Sequence, residues 1–214
     1  MKKLLKQGIL VAVEGIDGSG KSTLAKNLAN RLSEEYASVL LTKEPGDTPL
    51  GIHLRKLLQT QDVAIYPKAE FLLFAADRAN HFEFVVLPAL AQKTIVISDR
   101  MGDSSVVYQG YARGLDIDTI KTINAWAMNN READIVFYIR LTAEQAMQRL
   151  CQRNVPLTAF EKEGADYVQK LIEGFDEIVS KRHNGTILDG AQTPEQLTNQ
   201  AVEKVNRWIQ QHKI

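Results

Sequence analysis

The eight residues Gly15-Ile16-Asp17-Gly18-Ser19-Gly20-Lys21-Ser22 constrain this chain more than any other stretch. They follow the apolar run Ile9-Leu10-Val11-Ala12-Val13 and precede a helical pattern that begins at Thr23. The octet fits G-x-x-x-x-G-K-[ST], a phosphate-binding loop: its glycines admit positive φ and leave backbone N–H groups free to cradle phosphate oxygens. In such a loop Lys21 reaches the β and γ phosphates and the Ser22 hydroxyl coordinates Mg²⁺. The helix behind it adds unsatisfied N–H groups and a positive dipole end. A strand before and a helix after distinguish this context from a glycine-rich surface turn.

With 214 residues, 44% hydrophobic and 24% charged, the chain suits one α/β domain, residues 1–214, with a sizeable core. Lys plus Arg and Asp plus Glu are both 26, so no global field recruits nucleic acid or an anionic membrane. Phosphate specificity must then come from locally placed groups. The single cysteine, Cys151, excludes an intramolecular disulfide and fits a reducing compartment; its helical context reads as inert packing. Met1 to Lys6 reads as a short tail rather than a signal peptide. No segment reaches the apolar length needed to span a bilayer, so a cytoplasmic location is expected.

Periodicity predicts a helix from Thr23 to about Glu35 and a strand over Ser38–Thr42, which with the first strand make a right-handed βαβ unit. Ligands then gather at the carboxyl edge of a mostly parallel sheet. Lys43-Glu44-Pro45-Gly46-Asp47-Thr48 leaves the second strand at that edge, either lining the site or simply turning into the next helix. Helices follow over Leu50–Leu58 and from Pro67 toward Leu90, the second with Phe71, Phe74 and Arg78 on one face. Spacing alone favours core for Phe71 and leaves Phe74 open between core and base stacking. A third strand over Thr94–Ser98 ends in Asp99-Arg100, a carboxylate placed to help order Mg²⁺ beside a cation placed to clamp a phosphate; a structural ion pair is the alternative. Asp103-Ser104-Ser105 signals a helix start, with Tyr108-Gln109 one turn later. Beyond it the pattern gives helices over Asp116–Asn130, from an N-cap at Thr142 to Arg153 with Arg149 and Arg153 on one face, over Lys162–Arg182 and over Pro194–His212. Strands are expected at Asp134–Ile139 and Thr186–Leu188. Strands alternating with helices throughout give a doubly wound α/β fold.

Taken in order, E-G-x-D-G-S-G-K-S, the E-P-G-x-T turn at Glu44–Thr48, F-x-x-D-R-A-x-H at Phe74–His81, Asp99-Arg100 and S-S-x-x-Y-Q-G at Ser104–Gly110 resemble the thymidylate kinase family, over nearly the whole chain. The resemblance implies a three-layer fold with a parallel sheet of strand order 2-3-1-4-5, a homodimer packed through helices, and Mg²⁺-dependent transfer of the ATP γ-phosphoryl group to dTMP. It implies ATP binding by Gly15 through Thr23 and by Arg149, Mg²⁺ at Ser22 and Asp99, and catalytic roles for Lys21, Arg100, Asp17 and Arg153. For the acceptor it implies Asp17 near the deoxyribose 3′-hydroxyl and phosphate, and Phe74 stacked on thymine. Arg78, Ser105 and Gln109 would sit around the base, Tyr108 where a 2′-hydroxyl would be, and Arg100 on the phosphate, with Glu44, Pro45 and Ser104 completing the site.

The chain departs from the family pattern at Lys43, where arginine is common; at Asp47, in place of a second glycine; at Met101, in place of an aromatic residue or histidine; and at Ala159 in the lid, residues 153–162, where many relatives carry an arginine. No basic residue lies between Gly15 and Gly20 either. An arginine on the transferring group can contribute on the order of 10³-fold in rate, so Arg153 is the expected substitute, ahead of Arg149 and Lys162. Glu161 joins Asp17 and Asp99 among the carboxylates that could approach Mg²⁺. Two rival readings remain at this stage: a kinase of the same class for another deoxynucleotide such as dUMP, and a nucleotide-binding regulatory protein with weak transfer.

Overall fold

The computed structural model describes residues 1–60, 64–152 and 164–214. Five parallel strands, β1 (Ile9–Glu14), β2 (Val39–Lys43), β3 (Ile95–Asp99), β4 (Ile135–Arg140) and β5 (Gly185–Asp189), form one sheet in the order β2-β3-β1-β4-β5. The order reverses beside β1, which pairs with β3 on one side and β4 on the other. That topological switch point is where an open α/β sheet leaves a crevice at its carboxyl edge, and both the loop after β1 and the residues after β3 emerge into it.

Alternation along the central strands explains the layers, because successive side chains point to opposite faces. Ile9, Val11 and Val13 of β1, with Ile95, Ile97, Ile135, Phe137 and Ile139, pack against α1 (Lys21–Glu35) through Leu24, Leu28 and Leu32, and against α9 (Pro194–His212) through Leu197, Ala201, Val205 and Ile209. Leu10, Ala12, Val96 and Val136 face the other way, onto Phe82 and Val86. Tyr138 of that second face stacks on Phe175 of α8 (Ala165–Ser180), their rings 5.1 Å apart. The expected strands and helices are present with ends shifted by a few residues, and α9 runs as expected, its start fixed by a capping box between Thr193 and Gln196.

The long helix expected from Pro67 is α3 (Pro67–His81), a π-helical turn over Phe82–Val86, and α4 (Leu87–Ala91). A second π-helical segment, Val106–Ala112, follows the short α5 (Gly102–Ser105). α2 (Pro49–Thr60) lies before α3. α6 (Ile117–Ala127) starts at the Asp116 cap as expected but stops short of Asn130, because Asn129 and Asn130 adopt left-handed backbone with φ of 51° and 56°. Thr142 and Gln145 cap α7 (Ala143–Gln152) reciprocally. Cys151 in this helix is exposed, which corrects its reading as core packing: the apolar stripe of α7 turns Ala146 inward and leaves the thiol outside. Among the described residues no helix is long and apolar enough to cross a membrane.

These contacts rank two substitutions. Leu28 is fully buried between α1 and the sheet, so Leu28→Ala is expected to cost about 3 kcal/mol in urea unfolding. Loss of one cap at α9 by Thr193→Ala should cost only about 1 kcal/mol.

Candidate active site

The loop leaves β1 at Gly15, whose φ of 143° is open to glycine. A Cβ there would stand 2.8 Å from the carbonyl oxygen of Ile139 and 2.9 Å from Ser19 Oγ, so the loop also lies too close to β4 for any side chain. Gly18 and Gly20 add positive φ of 79° and 99°, and α1 begins directly at Lys21. Lys21 Nζ donates to the Ile16 carbonyl at 2.7 Å and stands 3.8 Å from Asp17. Burial and then the Arg100 guanidinium push this amine down to about 8. Arg149 of α7 braces the loop from outside, donating to the carbonyls of Ser19 at 3.2 Å and Gly190 at 2.6 Å.

Arg100 follows β3 with a φ of 75°, a left-handed conformation that costs a non-glycine residue roughly 1–2 kcal/mol. It is held there by its N–H on the Val13 carbonyl and by Ser98 Oγ donating to its own carbonyl at 2.6 Å. The strain brings the guanidinium back over the loop. One nitrogen donates to the Gly15 carbonyl at 3.1 Å and Ser104 Oγ at 2.9 Å; the other meets Asp17 and, at 3.2 Å, the Tyr108 hydroxyl. Burial alone would raise the Asp17 carboxyl, but Arg100 and Lys21 draw it down to about 2. Asp99 therefore does not pair with Arg100, as a structural ion pair would; it accepts the Ser22 hydroxyl at 2.5 Å.

Behind Arg100 lies Glu14, with no solvent exposure. Its carboxyl accepts the Met101 N–H at 2.8 Å and the Ser104 hydroxyl at 2.6 Å. Burial, followed by the neighbouring Asp103 carboxylate, pushes it up to about 7. Asp103 is in turn clasped by Arg182 at 2.5 and 2.9 Å.

Two adjoining cavities open at this edge. The smaller, about 110 Å³, is walled by Phe74, Pro45, Leu58, Ser105, Tyr108 and Gln109. The larger, about 530 Å³, includes Lys21, Ser22, Lys26, Lys43, Asp47 and Asp99. They share Asp17, Glu44, Arg55, Gln59 and Arg100, which form the junction between them. Phe71, by contrast, is core beside Ala75, Val106 and Ile120. Gln109 donates to Glu70 at 2.9 Å, and the π-helical segment is what turns Tyr108 and Gln109 toward the cavity together.

Arg78, expected at the base or its neighbourhood, lines neither cavity and reaches the smaller one through Ser105 and Glu44. It is 2% exposed and beneath the wall rather than on it, donating to Glu44 at 2.8 Å, Ser105 Oγ at 3.1 Å, Asn124 at 2.6 Å and the Met101 carbonyl at 3.2 Å. Arg55 and Gln59 were missed in the sequence. Their signal was the spacing of four from Gly51, which puts all three on one face of α2. Arg55 donates to the Pro45 carbonyl at 2.8 Å and so ties α2 to the turn. Arg153, Ala159, Glu161, Lys162 and the rest of the expected lid lie outside the described residues.

Comparison with known proteins gives this cleft its context. A family model described as thymidylate kinase matches residues 13–201. The chain belongs to the thymidylate kinase family. The thymidylate kinase of Fervidobacterium nodosum is 38% identical over 201 residues, 94% of this chain and 100% of the relative; that of Thermosipho africanus is 40% identical over 86% of this chain and 91% of its own. The crystal structure of thymidylate kinase from Ehrlichia chaffeensis superposes with a TM-score of 0.77 at 30% identity, covering 92% of this chain and 98% of that one. Thymidylate kinases phosphorylate dTMP to dTDP with ATP, and the sheet order matches the one the motifs implied.

The buried Glu14 makes stability depend on pH in a defined direction. Its carboxyl titrates near the ordinary 4.5 when unfolded and at about 7 when folded, so the folded state alone holds the proton between those values and stability falls as pH rises through them. Glu14→Gln should remove that fall, raising stability relative to wild type by about 3 kcal/mol more at pH 8 than at pH 4. Paired urea titrations at the two pH values measure the difference.

Proposed function

We propose that this chain transfers the γ-phosphoryl group of ATP to dTMP by bringing donor and acceptor phosphates together at the junction of the two cavities. The observation that carries this reading is that Arg100 and Asp17 belong to both cavities, with Lys21 on one side and Phe74 on the other. The loop Gly15–Ser22, with Thr23 and Arg149 beside it, holds the ATP phosphates. Lys21, on its flexible stem, leaves the Ile16 carbonyl for a phosphate oxygen. In the smaller cavity Phe74 stacks on thymine, Ser105 and Gln109 meet its edge, Tyr108 excludes a 2′-hydroxyl, and Pro45 with Glu44 close the side against α2. Arg78 supports Ser105 and Glu44 from below. Arg100, aligned by Ser104 and Asp17, takes the acceptor phosphate. That phosphate oxygen is already anionic, so positioning and charge neutralisation account for the rate and no general base is needed.

The Ser22 hydroxyl and the Asp99 carboxylate, in contact at 2.5 Å, are hard oxygen donors that fit Mg²⁺. When bound, the ion neutralises charge on the β and γ phosphate oxygens. Arg153 is proposed to neutralise the migrating group in place of the arginine missing at Ala159. Exposed Phe84 and Trp126, 74% and 77% accessible, on the π-helical turn after α3 and on α6, support a homodimer formed through helices. We place the enzyme in the cytoplasm, acting as a single domain on ATP and dTMP, without nucleic-acid or membrane partners.

ADP release from Mg-ATP with dTMP, dUMP, dGMP, UMP, AMP or no acceptor tests the reading. Strong preference for dTMP is expected. Tight ATP binding with no stimulation by any acceptor would instead identify a nucleotide-binding protein with another task. Arg100→Ala should lower kcat/KM for dTMP by at least about 100-fold. Arg153→Ala should lower kcat at saturating substrates, and an unchanged kcat would remove that residue from the mechanism.

A further inference from the structure

The turn that carries Glu44 and Pro45 is anchored from behind by a buried histidine that the transfer reaction does not use. His81, at the end of α3, has no solvent exposure. Its Nδ1 lies 3.0 Å from Glu44 Oε1 and its Nε2 lies 2.6 Å from Thr42 Oγ1. Thr42 Oγ1 also donates to Asp47 Oδ2 at 2.5 Å.

The proton count around this chain of contacts is restrictive. A carboxylate only accepts, so Asp47 takes the one hydroxyl proton of Thr42. The hydroxyl can then only accept from His81, which requires a proton on Nε2. Glu44 is likewise an acceptor: the Arg78 guanidinium donates to its Oε2 at 2.8 Å and, against burial, holds its carboxyl below the ordinary range. That requires a proton on Nδ1. Both imidazole nitrogens therefore donate, and the ring is a cation.

We propose that His81 is an imidazolium that positions the acceptor turn 44–48, with Asp47 and Thr42 as the relay that keeps it protonated. The inference rests on the acceptor assignment made above. The charges facing the ring are Glu44 and Asp47 from the turn after β2, and Asp77 and Arg78 from its own helix. Asp77 Oδ1 accepts the Gly46 N–H at 3.2 Å, while its other oxygen has no hydrogen-bond partner among the described residues. The turn is thus fastened at three successive levels: Glu44 by Arg78 and His81, Gly46 by Asp77, and Asp47 by Thr42. His81 lines neither cavity itself and reaches them only through Glu44, which lines both, and Thr42, which lines the larger one.

Two readouts test this together. Nitrogen chemical shifts of the His81 ring in ¹⁵N-histidine-labelled protein are expected to show two protonated nitrogens at pH 7. Asp47→Ala frees the Thr42 hydroxyl proton to point at Nε2, so the titration midpoint of His81 should fall to lower pH. Thr42→Val should lower it too, whereas Thr42→Ser, which keeps the hydroxyl, should not. In steady-state kinetics at pH 7.5 with saturating ATP, Asp47→Ala and Thr42→Val should raise the KM for dTMP about 3- to 10-fold, and Thr42→Ser should keep the wild-type value. Above the lowered midpoint the KM defect should grow with pH. A neutral, singly protonated His81 at pH 7 in a protein that phosphorylates dTMP would overturn this inference alone. So would variants that move neither the ring titration nor the KM for dTMP. Failure of wild-type protein to respond to dTMP would sink the acceptor assignment, and the positioning role with it, while the nitrogen shifts would still report the charge on the ring.

Discussion

Glu14 ends β1 with a carboxyl that water cannot reach, so both its oxygens must find donors within the fold. They find them in the residues just past β3: the Met101 N–H and the Ser104 hydroxyl. Because Ser104 Oγ also receives Arg100, one buried acid couples the strand before the glycine-rich loop to the strand that Arg100 follows. The left-handed backbone at Arg100 is tolerable only inside this framework, which fixes the chain on both sides of it. Removing the acid's partners would leave a buried carboxyl unsatisfied, at a cost of about 1–3 kcal/mol or more.

The two cations over the loop, Arg100 and Lys21, each have an internal acceptor. Arg100 rests on Asp17 and Lys21 on a loop carbonyl, so neither cation is left bare in a poorly solvated site. The overall charge is balanced, yet Lys21 and Arg100 are concentrated at the switch point of the sheet, where β1 and β3 lie side by side.

Much of this was legible in the sequence because it is written in local patterns. The octet at Gly15, the apolar runs of β1, β3 and β4, and the cap at Thr142 each depend on neighbours within a few residues. The parts that were not legible depend on partners far along the chain. Phe71 and Phe74 look equivalent by spacing, and only the packing of Val106 and Ile120 against the first separates core from cavity wall. Spacing puts Arg78 on one face with Phe71 and Phe74, but its burial depends on partners such as Asn124, 46 residues away. Arg55 and Gln59 resemble an ordinary solvated helix face until the Pro45 turn is seen against them. Cys151 was misread because a helical context does not say which side of the helix faces solvent.

The π-helical segment at Val106–Ala112 bears on how this cleft can change over time. A helix turning with more than 3.6 residues holds one residue that an α-helix of the same length would not. Deleting a residue there would rotate all that follows by about 100°, carrying Tyr108 or Gln109 off the cavity and Val107 out of the core in one step. Substitutions can adjust the lining a side chain at a time, but the register of this segment behaves as a single inherited character. Relatives with different acceptor tastes are therefore expected to vary in residue identity along this stretch and to agree in its length.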